Sequence, residues 1–117
     1  MANITLHHKT DQDITFQYYE ANGTTTRSLV DATVFFTLKK NSHDDDADDS
    51  NAILKKTVTV HTSAGAGLTT ISLTDTDTNI RPKNYFYDIK VKEANGLIYK
   101  ATSGSCRVEG SPTNRIS

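Results

Sequence analysis

At 117 residues, 35% of them hydrophobic, the chain suits one domain over residues 1–117, with a thin core shared by two layers of sheet. Its formal net charge of −1 gives no general pull toward nucleic acid or anionic lipid, which calls for a basic surplus. No apolar run approaches a membrane span, the start lacks a secretory apolar stretch, and the single Cys106 excludes an internal disulfide, as expected for synthesis in a reducing cytoplasm.

Short stretches of alternating apolar and polar residues predict β-strands in chain order. The first covers about residues 3 to 9 on Ile4 and Leu6, and Asp11-Gln12-Asp13 breaks it. The second runs from Asp13 to about Glu20, with Ile14, Phe16 and Tyr18 on one face. Asn22-Gly23 and a threonine run then make a polar loop, at whose end Leu29-Val30 tucks back against the core. In the third, Thr33 to Lys40, Val34, Phe36 and Leu38 share one parity and Phe35 opposes them. Residues 41 to 51 form a loop dominated by aspartates.

The fourth strand runs from about Ala52 to His61, with Leu54, Val58 and Val60 in register. Small residues from Ser63 to Gly67 make a turn, and the fifth strand is Leu68 to Thr74 around Ile71 and Leu73. Asp75-Thr76-Asp77-Thr78 offers side-chain oxygens for local turns or a short helical cap. Pro82 cannot donate to a ladder, so the sixth strand starts near Asn84 and ends near Glu93. Its apolar beats are Tyr85, Tyr87, Ile89 and Val91. Asn95-Gly96, both able to take φ > 0, predicts a tight hairpin turn into a seventh strand from Leu97 to about Glu109. Ser103-Gly104-Ser105 predicts a bulge in that strand, and a polar tail follows Gly110.

About seven antiparallel strands in a hundred residues fit an all-β, immunoglobulin-like (Ig-like) sandwich, with a small partly open barrel as the rival. Ile80, Pro82 and Tyr85 look like a tyrosine corner, in which the phenol bonds back to the backbone of the connection before strand six.

The stretch Ile71-Ser72-Leu73-Thr74, Asp77-Thr78-Asn79-Ile80, Pro82-Lys83-Asn84-Tyr85-Phe86-Tyr87-Asp88-Ile89 continues through Asn95-Gly96, Ser103-Gly104 and Arg107-Val108. It resembles the small Ig-like domains of tailed-phage virion proteins, including the N-terminal domain of upper baseplate proteins. A looser likeness runs through Ile14-Thr15-Phe16, Asn22-Gly23 and Val34-Phe35-Phe36-Thr37-Leu38, so it covers most of the chain and is specific in its second half. The resemblance implies a structural protein of the bacteriophage virion, assembled in the host cytoplasm, in the viral tail, neck or baseplate or as capsid decoration. Its implied partners are other virion proteins and further copies of itself, with no nucleic acid, membrane or cofactor. The chain stops where upper baseplate proteins continue, which leads us to expect a stand-alone neck, tail or capsid-surface component.

Residue chemistry points the same way. Asp44, Asp46 and Asp48 could offer oxygens to Ca²⁺, but the run lacks an EF-hand's central Gly and terminal Glu, and a solvated loop is the better reading. Adjacent His7 and His8 face opposite ways on a strand and cannot chelate one ion, and His43 and His61 have no cysteine pair beside them. Cys106 shares the inward parity of Val108 and reads as core filler, Ser103-Gly104-Ser105 lacks a nucleophile elbow, and no phosphate loop is present. We therefore expect no catalytic residue, no metal site and no enzyme.

Lys90 and Lys92 share the outward face of strand six, as solvated lysines that discourage edge pairing. Phe35, Phe86 and Tyr99 fall outward on strands three, six and seven and are expected to form an exposed apolar contact patch, unless the chain's own termini cover them. A carbohydrate-binding module for host-surface adhesion is the alternative function. It would expose Tyr and Trp in a groove or at loop tips, whereas this chain has no Trp and its loops are Asp, Ser, Thr and Gly.

Overall fold

Period-two alternation becomes strand wherever one parity can be buried, and β3 (Thr33–Lys39) and β6 (Lys83–Lys92) show it most cleanly. Val34, Phe36 and Leu38 are fully buried, while the even-stepped Tyr85, Tyr87, Ile89 and Val91 line the same interior. The computed structural model describes residues 3–20, 22–40 and 52–110. Among these the remaining strands are β1 (Ile4–His7), β2 (Gln12–Gln17), β4 (Leu54–Val58), β5 (Leu68–Leu73) and β7 (Ile98–Glu109). The protein is all-β, with no α-helix among the described residues and one 3-10 turn at Ala64–Ala66.

Two sheets form. One is five-stranded in the order β1-β7-β6-β3-β4, curled around the core, and the other pairs β2 with β5 alone. A single apolar cluster draws on both: Leu6, Phe36, Ile89, Cys106 and Val108 from the large sheet, Phe16, Ile71 and Leu73 from the small one, and Leu29 and Ile80 from loops. Burial of these side chains is the main stabilising term, at about 1.5–3 kcal/mol for each large one.

The large sheet is mixed, which corrects the expectation of an antiparallel one. β1 pairs parallel with β7, Ile4 opposite Cys106 through His7 opposite Glu109, while the other ladders are antiparallel. The cause is a sheet crossing: after His7 the chain turns through Lys9, in the left-handed region at φ 57°, and enters β2 in the other sheet. Thr78 secures that crossing. Its buried hydroxyl donates to the Thr10 carbonyl at 2.6 Å and accepts the Thr10 N–H at 2.8 Å.

Other elements differ in detail from the sequence reading. β4 ends at Val58, and Val60 lies 87% exposed rather than in register with Leu54. Leu29 is buried as expected, but its neighbour Val30 is exposed. Ser103-Gly104-Ser105 is regular strand, and the register shift lies instead between Ile89 and Lys90, where Ala101 is the extra residue between partners Thr102 and Lys100. The β6–β7 turn also departs from a two-residue form. Gly96 takes φ 87° and Asn95 does not have positive φ, so Glu93 to Gly96 makes the turn, Gly96 N–H bonding the Glu93 carbonyl at 2.8 Å. Asn95 contributes its side chain instead, Oδ1 accepting the Leu97 N–H at 2.9 Å.

Between β5 and β6 the expected oxygen-rich turn is present. Asp77 Oδ2 accepts the Thr74 N–H at 2.9 Å and the Asp77 N–H donates to Thr74 Oγ1 at 3.2 Å, a reciprocal cap. Lys56 on β4 joins Asp77 at 3.0 Å. At the end of this connection Tyr85 Oη donates to the Arg81 carbonyl at 2.5 Å, the bond expected of its phenol. The aspartate loop over 41–51 and the tail beyond 110 lie outside the described residues.

Candidate interaction face

The side of the large sheet turned away from the core is built by the residues that alternate with the buried ones. Paired residues in neighbouring strands share a face, so the register gives rows across β4, β3, β6 and β7. One row is Thr57, Phe35, Lys90 and Lys100; the next toward the hairpin is Thr33, Lys92 and Ile98. In the opposite direction come Lys55, Thr37, Asp88 and Ser103, then Lys39, Phe86 and Ser105. Phe86 is 42% exposed, Ile98 59%, and Phe35 is half-buried.

Phe35 and Phe86 therefore lie on one face, separated by the Thr37–Asp88 row, and four residues of strand put them about 13 Å apart along the sheet. Tyr99 is on the other side. It pairs with Val91, which is buried, so its ring projects at the end of the core face. There the Arg27 guanidinium stacks on it, 5.1 Å from the ring centroid. The extra residue at Ala101 is the reason: counted from inward Cys106 and Val108, Tyr99 falls outward, and one inserted residue reverses that parity. Ile98 takes the outward place instead.

Arg27 belongs to a cluster that strand reading alone did not identify. Glu93 accepts a forked pair of bonds from Arg27, Nε to Oε2 and the second nitrogen to Oε1 at 2.8 Å, while Tyr18 Oη donates to Oε2 at 2.9 Å. The guanidinium holds the Glu93 carboxyl below the usual carboxylate range, and burial, with the bond to Glu93, pushes the Tyr18 phenol up to about 12. Parity did carry a signal: Glu93 follows inward Val91 by two, and an acid on an inward position needs a partner. Arg27 lies 66 residues away, so spacing alone could not name it.

The groups with potential chemistry have structural occupations. Cys106 is fully buried, and burial pushes its thiol up to about 11, the opposite of an activated nucleophile. His8 Nδ1 meets the Ile80 carbonyl at 2.8 Å, and His61 spans the Ala32 carbonyl at 2.8 Å and Thr69 Oγ1 at 2.9 Å. His7 lies exposed beside Glu109. No three metal-binding side chains cluster among the described residues. An open cleft of about 470 Å³ lies between β4 and the β5–β6 connection, walled by Leu54, Ile80 and Tyr85 with Lys40, Arg81 and Lys83 around it. Among its described lining residues the one carboxylate, Asp77, is held ionised below the usual range by the Thr74 N–H and by Lys56.

No protein-family model matches the chain, and neither does any curated protein or solved structure.

Proposed function

We propose that this is a non-enzymatic structural component of a tailed-phage virion, placed in tail, neck, baseplate or capsid surface, and working by protein–protein contact through the outer face of its large sheet. The observation that carries the reading is that face: the β3–β6 ladder and the bulged β6–β7 ladder leave Phe86 exposed, Phe35 half-exposed and Ile98 exposed among lysines. Aromatic and aliphatic side chains held on rigid strands are the makings of a protein contact rather than of a reaction site.

Three features support an Ig-like sandwich as the finer description of the fold. β1 runs parallel to the last strand, β2 and β5 form a separate sheet, and Tyr85 makes the corner bond to Arg81. Rigid sandwiches of this kind present a sheet face and loops to neighbours in symmetric particles. A saccharide platform fits less well, because Tyr99 has one ring face stacked by Arg27 and the phenylalanines sit on a sheet rather than in a groove. Antibodies raised against the purified domain, visualised by gold on intact particles from the source that encodes it, test the assignment. Label at one defined place, repeated with the particle's symmetry, is expected; particles free of label alongside soluble protein in the lysate would overturn it.

A further inference from the structure

Lys90 and Lys100 are directly opposed partners on β6 and β7, and Lys92 is the next residue on the same face. Like charges set opposite one another weaken a ladder, and the expected role of Lys90 and Lys92 in deterring edge pairing falls away, because β6 and β7 are both interior strands of the sheet. All three are exposed, and none of their side chains has an ion pair or hydrogen bond to another described residue. Phe35 and Ile98 flank the group on the same rows, so the surface is both cationic and apolar.

The sequence holds a complement to it. Asp44, Asp45, Asp46, Asp48 and Asp49 carry more negative charge than the whole chain's net −1, so the remainder of the protein is net positive. In sequence the run lies between β3 and β4, whose facing ends are at the Lys39–Phe86 end of the sheet, while the lysines stand toward the β6–β7 hairpin at the opposite end. One copy thus exposes its basic group at one end of the sheet, while in sequence its aspartates fall between the β3 and β4 ends at the other.

We infer that the Lys90–Lys92–Lys100 group docks the aspartate run, residues 44–49, of a second copy of this chain. This rests on the reading of the protein as a multi-copy particle component and names the contact between copies. Two different surfaces meet, so repetition of the contact builds a ring or a stack, with the ion pairs along β6 and β7 and Phe35 and Ile98 covered on either side of Lys90 and Lys92. Exposed ion pairs are individually weak and screened by salt, so the contact gains strength from repetition in the particle.

Sedimentation of the full chain tests this with two variants, Lys90→Glu/Lys92→Glu/Lys100→Glu and the five aspartates changed to Asn. Far-ultraviolet dichroism and a native melting transition establish that each is folded. The wild type is expected to self-associate at low salt, about tenfold less at high salt. Each variant alone is expected to stay monomeric, and an equal mixture to associate, because one supplies intact lysines and the other intact aspartates. A wild type that stays monomeric at low salt overturns the inference, as does a lysine variant that associates like wild type, or a mixture that does not associate. Association that persists undiminished at high salt overturns it too. A nucleic acid that binds the lysine face in preference to a synthetic peptide of residues 41–51 would also overturn it. The solution experiment stands apart from gold labelling of particles, so label in the virion with no self-association would sink this contact and leave the structural role intact.

Discussion

Gly67 and Gly96 both sit in the left-handed region, at φ 73° and φ 87°, yet their surroundings differ. A Cβ on Gly67 would collide with the Arg27 carbonyl oxygen, whereas one on Gly96 would meet open space. Gly96→Ala is therefore expected to cost only the left-handed penalty, about 1–2 kcal/mol, and Gly67→Ala distinctly more. Urea denaturation of the two variants measures this, and equal losses would mean that the 18–27 segment does not press on that turn. Glu93 makes a prediction in pH. Its carboxyl is depressed by Arg27, so its contribution to stability is full above the ordinary carboxylate range and fades as pH falls through the lowered value. Asp77, held by the Thr74 N–H, acts in the same direction. Glu93→Gln should lower the urea midpoint at neutral pH and flatten its decline toward about pH 3. An unchanged slope would show that the Arg27 pair adds nothing in solution.

The elements were legible where burial decides them. Val34, Phe36 and Leu38 on β3, and Tyr85 through Val91 on β6, read as inward residues because a period of two is all a strand needs. The Tyr85 corner and the Thr74–Asp77 cap were legible because their chemistry is local. What was not legible depends on pairing between distant residues. The parallel β1–β7 ladder follows from the sheet crossing after His7, which Thr78 secures by bonding Thr10, 68 residues away. The bulge at Ala101 follows from fitting β7 to β6, and Ser103-Gly104-Ser105 looked the more pliable place only because its residues are small. That one residue decides which aromatics share a face. Deleting Ala101 is expected to turn Tyr99 outward and separate it from Arg27. The ring-current shift of the Arg27 side-chain protons should then vanish from the NMR spectrum, and its persistence would show that the bulge does not place Tyr99.

Across the molecule, the buried side chains of the described residues pack one core, and Glu93, Asp77, His8 and His61 hold loops against it. What remains distinctive is the outward face of the large sheet, with Phe35, Phe86 and Ile98 set among lysines. Phe86→Asp removes apolar surface from that face without entering the core, since Phe86 alternates with buried Tyr85 and Tyr87. Surface changes of this kind leave stability within about 0.5 kcal/mol, so any loss of assembly would belong to the contact rather than to folding. The most direct test is to supply purified wild-type or Phe86→Asp protein to particles assembling without their own copy and to weigh what co-sediments. Wild type is expected in the particle fraction, with folded Phe86→Asp left in the supernatant. Equal incorporation of the two would contradict the account.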